Sequence, residues 1–214
     1  MLIEAVIFDL DGVICRTDQY HYQAWKTIAD RLGIPFDERV NAKLRGVSRM
    51  ESLEIVLEKS GKNYSREEKE RLAEEKNQIY QSFLRQMTPA DLAPESSRVL
   101  HTLRGMGLRL AIGSSSRNTA LILHRLGLDG FFDAVADGTQ IKRSKPDPEV
   151  FLLAASLLGV CPARALVVED APAGIRAAKA GRFPAAGLGD AAGEPGTDFP
   201  ISDLNDLCLI CSAL

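Results

Sequence analysis

The sequence lacks several features that would each have assigned it to a class of protein. No apolar run approaches the length of a membrane span, and no positively charged stretch precedes the first apolar run, where Glu4 already stands. We therefore expect neither a membrane anchor nor a secretory leader. Positively charged residues are not in excess, since the chain has 26 Lys and Arg residues and 29 Asp and Glu residues. This balance argues against a protein that binds nucleic acid or an anionic membrane.

Cysteine is scarce, with four residues in a chain of 214. A chain of this length does not need disulfides to fold, so we expect a reduced, cytoplasmic protein. Cys208 and Cys211 do form a C-x-x-C pair, but they lie in an apolar C-terminal segment without a second pair. We expect both to be buried small apolar side chains, and a zinc or redox site is the weaker alternative.

Two nucleotide-binding signatures are also missing. Neither a P-loop nor a dinucleotide G-x-G-x-x-G follows the first apolar run, so the sequence offers no anchor for ATP or NAD. Hydrophobic residues make up 45% of the chain and charged residues 26%, as in ordinary globular proteins. The length allows one large domain or two small ones.

Hydrophobic periodicity divides the chain into two parts. Residues 3–8 predict a strand, and residues 18–88 are almost entirely helical in pattern, with capping boxes SRME at 48–51 and SREE at 65–68. From about residue 96, helical segments alternate with short apolar runs, which predicts right-handed βαβ units and a parallel sheet covered on both faces. The later strands are predicted at 108–113, 132–137, 165–170 and 183–188, and a loop at 187–198.

The simplest architecture joins the first strand to the later sheet. Residues 1–15 and 89–214 would then form an α/β core domain, and residues 16–88 would form a helical cap inserted into it. Two stems, near residues 13–17 and 85–93, would connect the cap to the core.

Polar residues gather at the sheet edge where an open parallel sheet binds its ligands. DLDG at 9–12 ends the first strand, SSSRN at 114–118 follows the next, Lys145 precedes a predicted helix, and ED at 169–170 ends a later strand. Each feature alone has a simpler interpretation as a turn, a helix cap or a surface lysine. Their convergence on one edge favours a functional site.

The chemistry of this edge is that of phosphoryl transfer. Clustered carboxylates repel one another unless a cation neutralises them, and Mg²⁺ is the natural ion beside phosphate. Hydroxyl and N–H groups at a helix start suit a phosphoryl group, and a lysine neutralises its remaining charge. An aspartate there could attack phosphorus to form an aspartyl-phosphate. The four carboxylates that we expect to hold Mg²⁺ are Asp9, Asp11, Glu169 and Asp170.

DLDG, Ser114, Lys145 and ED at 169–170 together resemble the four motifs of haloacid-dehalogenase-type phosphotransferases, and the resemblance covers essentially the whole chain. It implies an α/β fold with a Rossmann-like parallel sheet core and an inserted α-helical cap domain. It also implies that Asp9 is the nucleophile and that Asp11 is the general acid and base. The two aspartates of the first strand therefore have distinct expected roles.

Three stretches of the cap decide the substrate. TDQYHYQAW at 17–25, GVSRMES at 46–52 and KN at 76–77 resemble the corresponding segments of the β-phosphoglucomutase subfamily. That resemblance implies a reaction that interconverts β-D-glucose 1-phosphate and glucose 6-phosphate through β-glucose 1,6-bisphosphate. The expected partners are these sugar phosphates, without nucleic acid or membrane, and the expected state is a monomer.

Individual cap residues have two interpretations. Taken alone, Arg49 is a solvated arginine at a helix start, Lys76 is a snorkelling lysine and His21 is a histidine at the edge of a core. The resemblance implies instead that Arg49 holds the non-transferring phosphate, that Lys76 contacts the sugar and that His21 supports Asp11. The residues expected to bind substrate or phosphate are Thr17, His21, Trp25, Gly46, Val47, Ser48, Arg49, Ser52, Lys76, Ser114, Ser115, Ser116, Arg117, Asn118 and Lys145.

Two alternatives stay open at this point. A sugar-phosphate phosphatase on the same fold would let water attack the aspartyl-phosphate. A non-catalytic phosphosugar-binding protein would not need Asp11, so the presence of Asp11 disfavours it. Four residues depart from the usual pattern of the relatives, and they leave the cap kinetics and the exact sugar open: Cys15, Arg16, Ser115 and Arg117.

Overall fold

A computed structural model describes residues 2–213 and contains a six-stranded sheet in which all neighbouring strands are parallel. The strand order is β3-β2-β1-β4-β5-β6, so the order reverses on either side of β1. Ligands bind at such a reversal, outside the carboxyl ends of the strands. The strands are β1 Ala5–Phe8, β2 Arg109–Gly113, β3 Ala134–Ala136, β4 Ala165–Glu169, β5 Ala185–Leu188 and β6 Phe199–Ile201.

The helices fall into two groups. Four lie within residues 16–88, the segment predicted as the cap, and they are α1 Asp18–Leu32, α2 Glu38–Ala42, α3 Arg49–Leu57 and α4 Arg66–Leu84. The others alternate with the later strands, and they are α5 Pro94–Gly105, α6 Thr119–Arg125, α7 Glu149–Leu158, α8 Pro172–Ala180 and α9 Asp206–Ala213.

The central strand β1 is buried on both faces. Its side chains alternate, so that Ile7 packs with α7 and α8 on one face while Val6 and Phe8 pack with α5, α6 and α9 on the other. Burial of each large apolar side chain stabilises the fold by about 1.5–3 kcal/mol. This double-sided packing fixes the end of β1, where Asp9 follows.

The cap helices share a hydrophobic core of their own. Trp25 and Ile28 of α1 pack with Leu53 and Val56 of α3 and with Leu72 of α4. Both predicted capping boxes are present: Ser48 with Glu51 starts α3, and Ser65 with Glu68 starts α4. The predicted α/β fold with a parallel sheet is confirmed. The domain boundaries at residues 15, 16, 88 and 89 stay a prediction.

The structure differs from the predictions near the C-terminus. The segment predicted as a loop at 187–198 contains a 3₁₀ turn, Gly189–Gly193, and is followed by an edge strand, β6, which the sequence did not indicate. Cys208 and Cys211 are half-buried on α9 rather than fully buried, and both pack against the edge of the hydrophobic core. Across residues 2–213, every helix falls short of the length and apolarity that a bilayer crossing requires.

Candidate active site

Asp9 lies immediately after β1 at the strand-order reversal. Its backbone N–H donates to the carbonyl of Val168 at 2.9 Å, which ties it to β4. Lys145 Nζ donates to Asp9 Oδ1 and to Glu169 Oε1, each at 2.5 Å. All three side chains are buried, and Lys145 therefore bridges two carboxylates from neighbouring strands. The pKa of Lys145 is raised because these two carboxylates outweigh the effect of burial.

Three carboxylates at this edge could hold a metal ion. Asp9, Glu169 and Asp170 each offer an oxygen, and these atoms lie within 4.8 Å of one another. Burial, Asp9 and Glu169 together raise the pKa of Asp170 to about 8. Gly12, at φ +90°, leaves room for the Asp170 carboxylate in the space that a Cβ atom would fill. One lysine against three carboxylates leaves excess negative charge, so the donor set fits a divalent cation with oxygen ligands.

Asp11, the fourth carboxylate predicted to hold the metal, lies outside this group. Its Oδ1 accepts a short hydrogen bond from the Thr17 hydroxyl and a longer one, at 3.4 Å, from the Tyr80 hydroxyl. Burial and the neighbouring Asp9 raise the pKa of Asp11 to about 6, so it can gain and lose a proton near neutral pH. His21, which was expected to support Asp11, forms its hydrogen bond elsewhere.

That hydrogen bond joins His21 to Lys76. His21 Nδ1 lies 2.8 Å from Lys76 Nζ, and the ammonium group lies over the rings of Trp25 and Tyr80 at 5.0 and 4.6 Å from their centroids. Burial, with a contribution from Arg49, lowers the pKa of Lys76 to about 7. Lys76 is therefore not a snorkelling surface lysine but a buried group of the cavity wall.

SSSRN forms the core side of the site at the start of α6. Ser114 is buried, and its hydroxyl accepts a hydrogen bond from the Ser116 N–H at 3.1 Å. Asn118 reaches across to the cap: its Nδ2 donates to Asn77 Oδ1 at 3.0 Å, and its Oδ1 accepts from Gln81 Nε2 at 2.8 Å. The segment that was expected to bind phosphate therefore also joins the core to α4.

The cap side of the site is built on the first turn of α3. Ser48 caps this helix, so Arg49 is its first residue. Arg49 Nη1 lies 3.4 Å from Glu74 Oε2 of α4. Burial lowers the pKa of Arg49, and Arg117 of the core lowers it further. Arg49 of the cap and Arg117 of the core thus both line the cavity between the two.

A cavity of about 390 Å³ lies between the cap and the core, a size typical of small-molecule sites. All the predicted site residues except Thr17 line it, and Thr17 contacts the cavity residue Asp11. The side chains that the motifs suggested from separate parts of the chain are therefore brought to one place.

The haloacid dehalogenase-like hydrolase family matches residues 3–182. The chain belongs to this family. The predicted family is thereby confirmed. The similarity to β-phosphoglucomutases confirms the prediction of a phosphotransferase enzyme.

The chain is similar to individual members of the family, among them β-phosphoglucomutases and a phosphatase. The chain is 43% identical to β-phosphoglucomutase of Bacillus subtilis over 97% of its own length and 92% of that protein. It superposes on the crystal structure of β-phosphoglucomutase from Clostridium difficile with a TM-score of 0.90, at 39% identity, covering 96% of this chain and 93% of that one. A phosphorylated carbohydrates phosphatase of Thermotoga maritima is 34% identical over 83% of this chain and 81% of that protein. The predicted resemblance to β-phosphoglucomutases is confirmed.

Several residues of this haloacid dehalogenase-family site were not predicted. Tyr80 lies four positions after Lys76 on α4, and Gln81 lies four positions after Asn77. This spacing places each residue on the same helix face as the earlier one. Helical spacing alone could have identified both. Tyr80, Arg45, Asp18 and Glu74 line the cavity, and the last three are brought there by packing between distant parts of the chain.

Proposed function

We propose that the protein is a β-phosphoglucomutase that interconverts β-D-glucose 1-phosphate and glucose 6-phosphate through β-glucose 1,6-bisphosphate. The observation that carries this proposal is a single cavity with two ends suited to phosphate. Asp9, Ser114 and Lys145 surround the core end, and Arg49 lies at the cap end. A bisphosphate needs both ends, whereas a small monophosphate needs only the first.

Phosphoryl transfer takes place at Asp9. In the first half-reaction, phosphorylated Asp9 gives its phosphoryl group to the 6-hydroxyl of β-glucose 1-phosphate. The hydroxyl proton passes to Asp11, whose pKa of about 6 suits a base near neutral pH. The P–O bond to Asp9 breaks as the new P–O bond to the sugar forms, and the product is the bisphosphate.

The second half-reaction reverses these roles. The bisphosphate turns over in the cavity, and Asp9 attacks the phosphorus at position 1. Asp11 returns its proton to the leaving sugar oxygen, which gives glucose 6-phosphate and regenerates the phosphorylated enzyme. The Thr17 hydroxyl donates a hydrogen bond to Asp11 Oδ1, and it orients the Asp11 carboxyl group in both half-reactions.

Mg²⁺ is the cation that this donor set suits beside phosphate, and Asp9, Glu169 and Asp170 would hold it. When bound, it supplies positive charge that neutralises the phosphoryl oxygens. Lys145 supplies a further positive charge between Asp9 and Glu169.

Contacts between the cap and the core exclude water from the phosphorylated aspartate. Asn118 is hydrogen bonded to both Asn77 and Gln81 of the cap. Exclusion of water favours transfer to the sugar over hydrolysis. A cytoplasmic location and a monomeric state stay predictions that accompany this proposal.

A sugar-phosphate phosphatase is the second candidate, and the similarity to the Thermotoga maritima phosphatase favours it. It would use Asp9 and Asp11 in the same way, but water rather than a sugar hydroxyl would accept the phosphoryl group from Asp9. It would not require Arg49 at the far end of the cavity.

A coupled assay separates the two candidates. The enzyme is given Mg²⁺ and β-glucose 1-phosphate, with and without a trace of β-glucose 1,6-bisphosphate, and glucose 6-phosphate and free phosphate are measured together. Formation of glucose 6-phosphate that depends on the bisphosphate, with little free phosphate, is the expected result. Release of free phosphate without isomerisation would replace the mutase with the phosphatase.

A further inference from the structure

Glu74 places a carboxylate beside the cationic group at the cap end of the cavity. It lies on α4, lines the cavity, and its Oε2 is 3.4 Å from Arg49 Nη1. The ion pair joins α4 to the first residue of α3. Glu74 has no part in the reaction derived above, so its presence at this position calls for an explanation.

Without the Glu74 carboxylate, the positive charge of Arg49 would lie in an unfavourable environment. Its side chain is only 24% exposed, and it stands in the first turn of α3, where the helix dipole is positive. Arg117 adds a second cation nearby. Glu74 supplies the opposite charge that the guanidinium needs while no ligand is bound.

We propose that Glu74 is a specificity-determining residue that holds the Arg49 guanidinium in the free enzyme and is displaced by the distal phosphate of the sugar substrate. This inference rests on the proposed function. Glu74 acts through Arg49 and is therefore a positioning residue rather than a catalytic one. A phosphate dianion carries two charges and displaces a carboxylate, whereas a sugar with a singly charged or neutral distal group competes poorly.

The Arg49–Glu74 ion pair should weaken substrate binding only modestly. Glu74 is 58% exposed, so water screens the ion pair. Glu74→Gln should lower KM for β-glucose 1-phosphate by about twofold to fivefold, the range of half-exposed ion pairs, with a smaller change in kcat. Hydrolysis of a small phosphate ester should not change, because such an ester does not reach Arg49.

The adjacent residue supplies a matched control. Glu75 is also on α4 and also pairs with an arginine, Arg31, but neither residue lines the cavity. Glu75→Gln removes the same charge from the same helix, so it measures the general effect of charge on substrate binding. We expect Glu75→Gln to leave KM unchanged.

The test is a double-mutant cycle in the full-length enzyme with Mg²⁺ and the priming bisphosphate. Glu74→Gln, Arg49→Ala and the double variant are compared with the parent enzyme. The expected result is that Glu74→Gln lowers KM only where Arg49 is present. An unchanged KM in Glu74→Gln, or an equal decrease in the Arg49→Ala background, would overturn the proposal.

A binding measurement keeps this inference distinct from the proposed function. Glucose 6-phosphate is titrated calorimetrically into the same four proteins, and its Kd should follow the same pattern. If the parent enzyme does not isomerise β-glucose 1-phosphate, the proposed function fails, and the titration still decides the role of Glu74. If isomerisation occurs and Glu74→Gln changes neither KM nor Kd, only the role of Glu74 fails.

Discussion

Arg45 of the cap and Asp190 of the core form an ion pair, in which Arg45 Nη1 donates to Asp190 Oδ2 at 2.9 Å. The next residue, Gly46, has φ +75° and lies so close to the core that a Cβ atom there would be 3.3 Å from the Ala173 Cβ. The Arg45–Asp190 pair therefore joins the cap to the core at the edge of the substrate cavity, and it should favour the closed position of the cap.

Asp190→Asn tests that role. Loss of the ion pair should open the cap more often, so that water reaches phosphorylated Asp9. We expect the ratio of free phosphate to glucose 6-phosphate to rise by about twofold to fivefold, because the pair is partly exposed. Higher ionic strength should raise the ratio in the parent enzyme and have little effect in the variant, since salt screens the same interaction. An unchanged ratio in the variant would contradict the role.

Arg49→Ala tests the two-ended cavity. Only a sugar phosphate that spans the cavity can use Arg49, so its kcat/KM should fall by about tenfold to a hundredfold, as for loss of a charged hydrogen bond. Hydrolysis of p-nitrophenyl phosphate should change little. Equal losses with both substrates would show that Arg49 does not hold the distal phosphate.

Lys76 predicts a pH dependence of stability. Its pKa is about 7 in the folded protein and 10.5 as an ordinary lysine, so between these pH values the unfolded chain binds a proton that the folded protein does not. The Lys76 contribution therefore makes the free energy of unfolding rise with pH from about 7 to 10.5. The charged or titratable groups around it are His21, Arg49, Tyr80 and Asp11.

Lys76→Met should remove this part of the pH dependence. The variant should be more stable than the parent protein near pH 7, and the difference should shrink as the pH rises toward 10. Denaturant titrations at several pH values measure it. Lys62→Met, at an exposed position, is the control and should leave the slope unchanged. If the free energies of unfolding of Lys76→Met and the parent protein change with pH in parallel, the prediction is wrong.

Metal binding should stabilise the folded protein. A bound Mg²⁺ ion would relieve repulsion among Asp9, Glu169 and Asp170, and a concentration one hundred times its Kd would add about 2.7 kcal/mol to the free energy of unfolding. Thermal melts with Mg²⁺, and with NaCl at matched ionic strength, separate specific binding from screening. Asp170→Asn should lose the Mg²⁺-dependent rise in Tm while folding normally without metal. A similar rise in Asp170→Asn would place the ion elsewhere.

Much of the fold could be predicted because its signals are local. Five strands of the parallel sheet are short apolar runs, and the structure contains each of them within the predicted bounds. The polar residues that end these runs must meet at one edge of such a sheet, which is why Asp9, Ser114 and Asp170 could be grouped from the sequence. The two capping boxes are equally local signals.

The remaining features depend on contacts between distant parts of the chain. Strand β6 has three residues with Pro200 at its centre, a composition that resembles a loop and is tolerated only at a sheet edge. The pairs Arg45–Asp190 and Arg49–Glu74 follow from how helices and domains pack, and sequence spacing does not encode them. His21 was assigned to Asp11, and its contact with Lys76 likewise depends on the packing of α1 against α4.

The most direct test of the central claim is to identify the phosphorylated residue. The enzyme is incubated with Mg²⁺ and β-glucose 1,6-bisphosphate, quenched in acid, and digested for mass spectrometry, with Asp9→Asn treated in parallel. One phosphoryl group on Asp9 of the parent enzyme, none in Asp9→Asn, and loss of isomerisation in a folded Asp9→Asn are the predicted results. Phosphorylation at another residue, or an active Asp9→Asn, would contradict the mechanism.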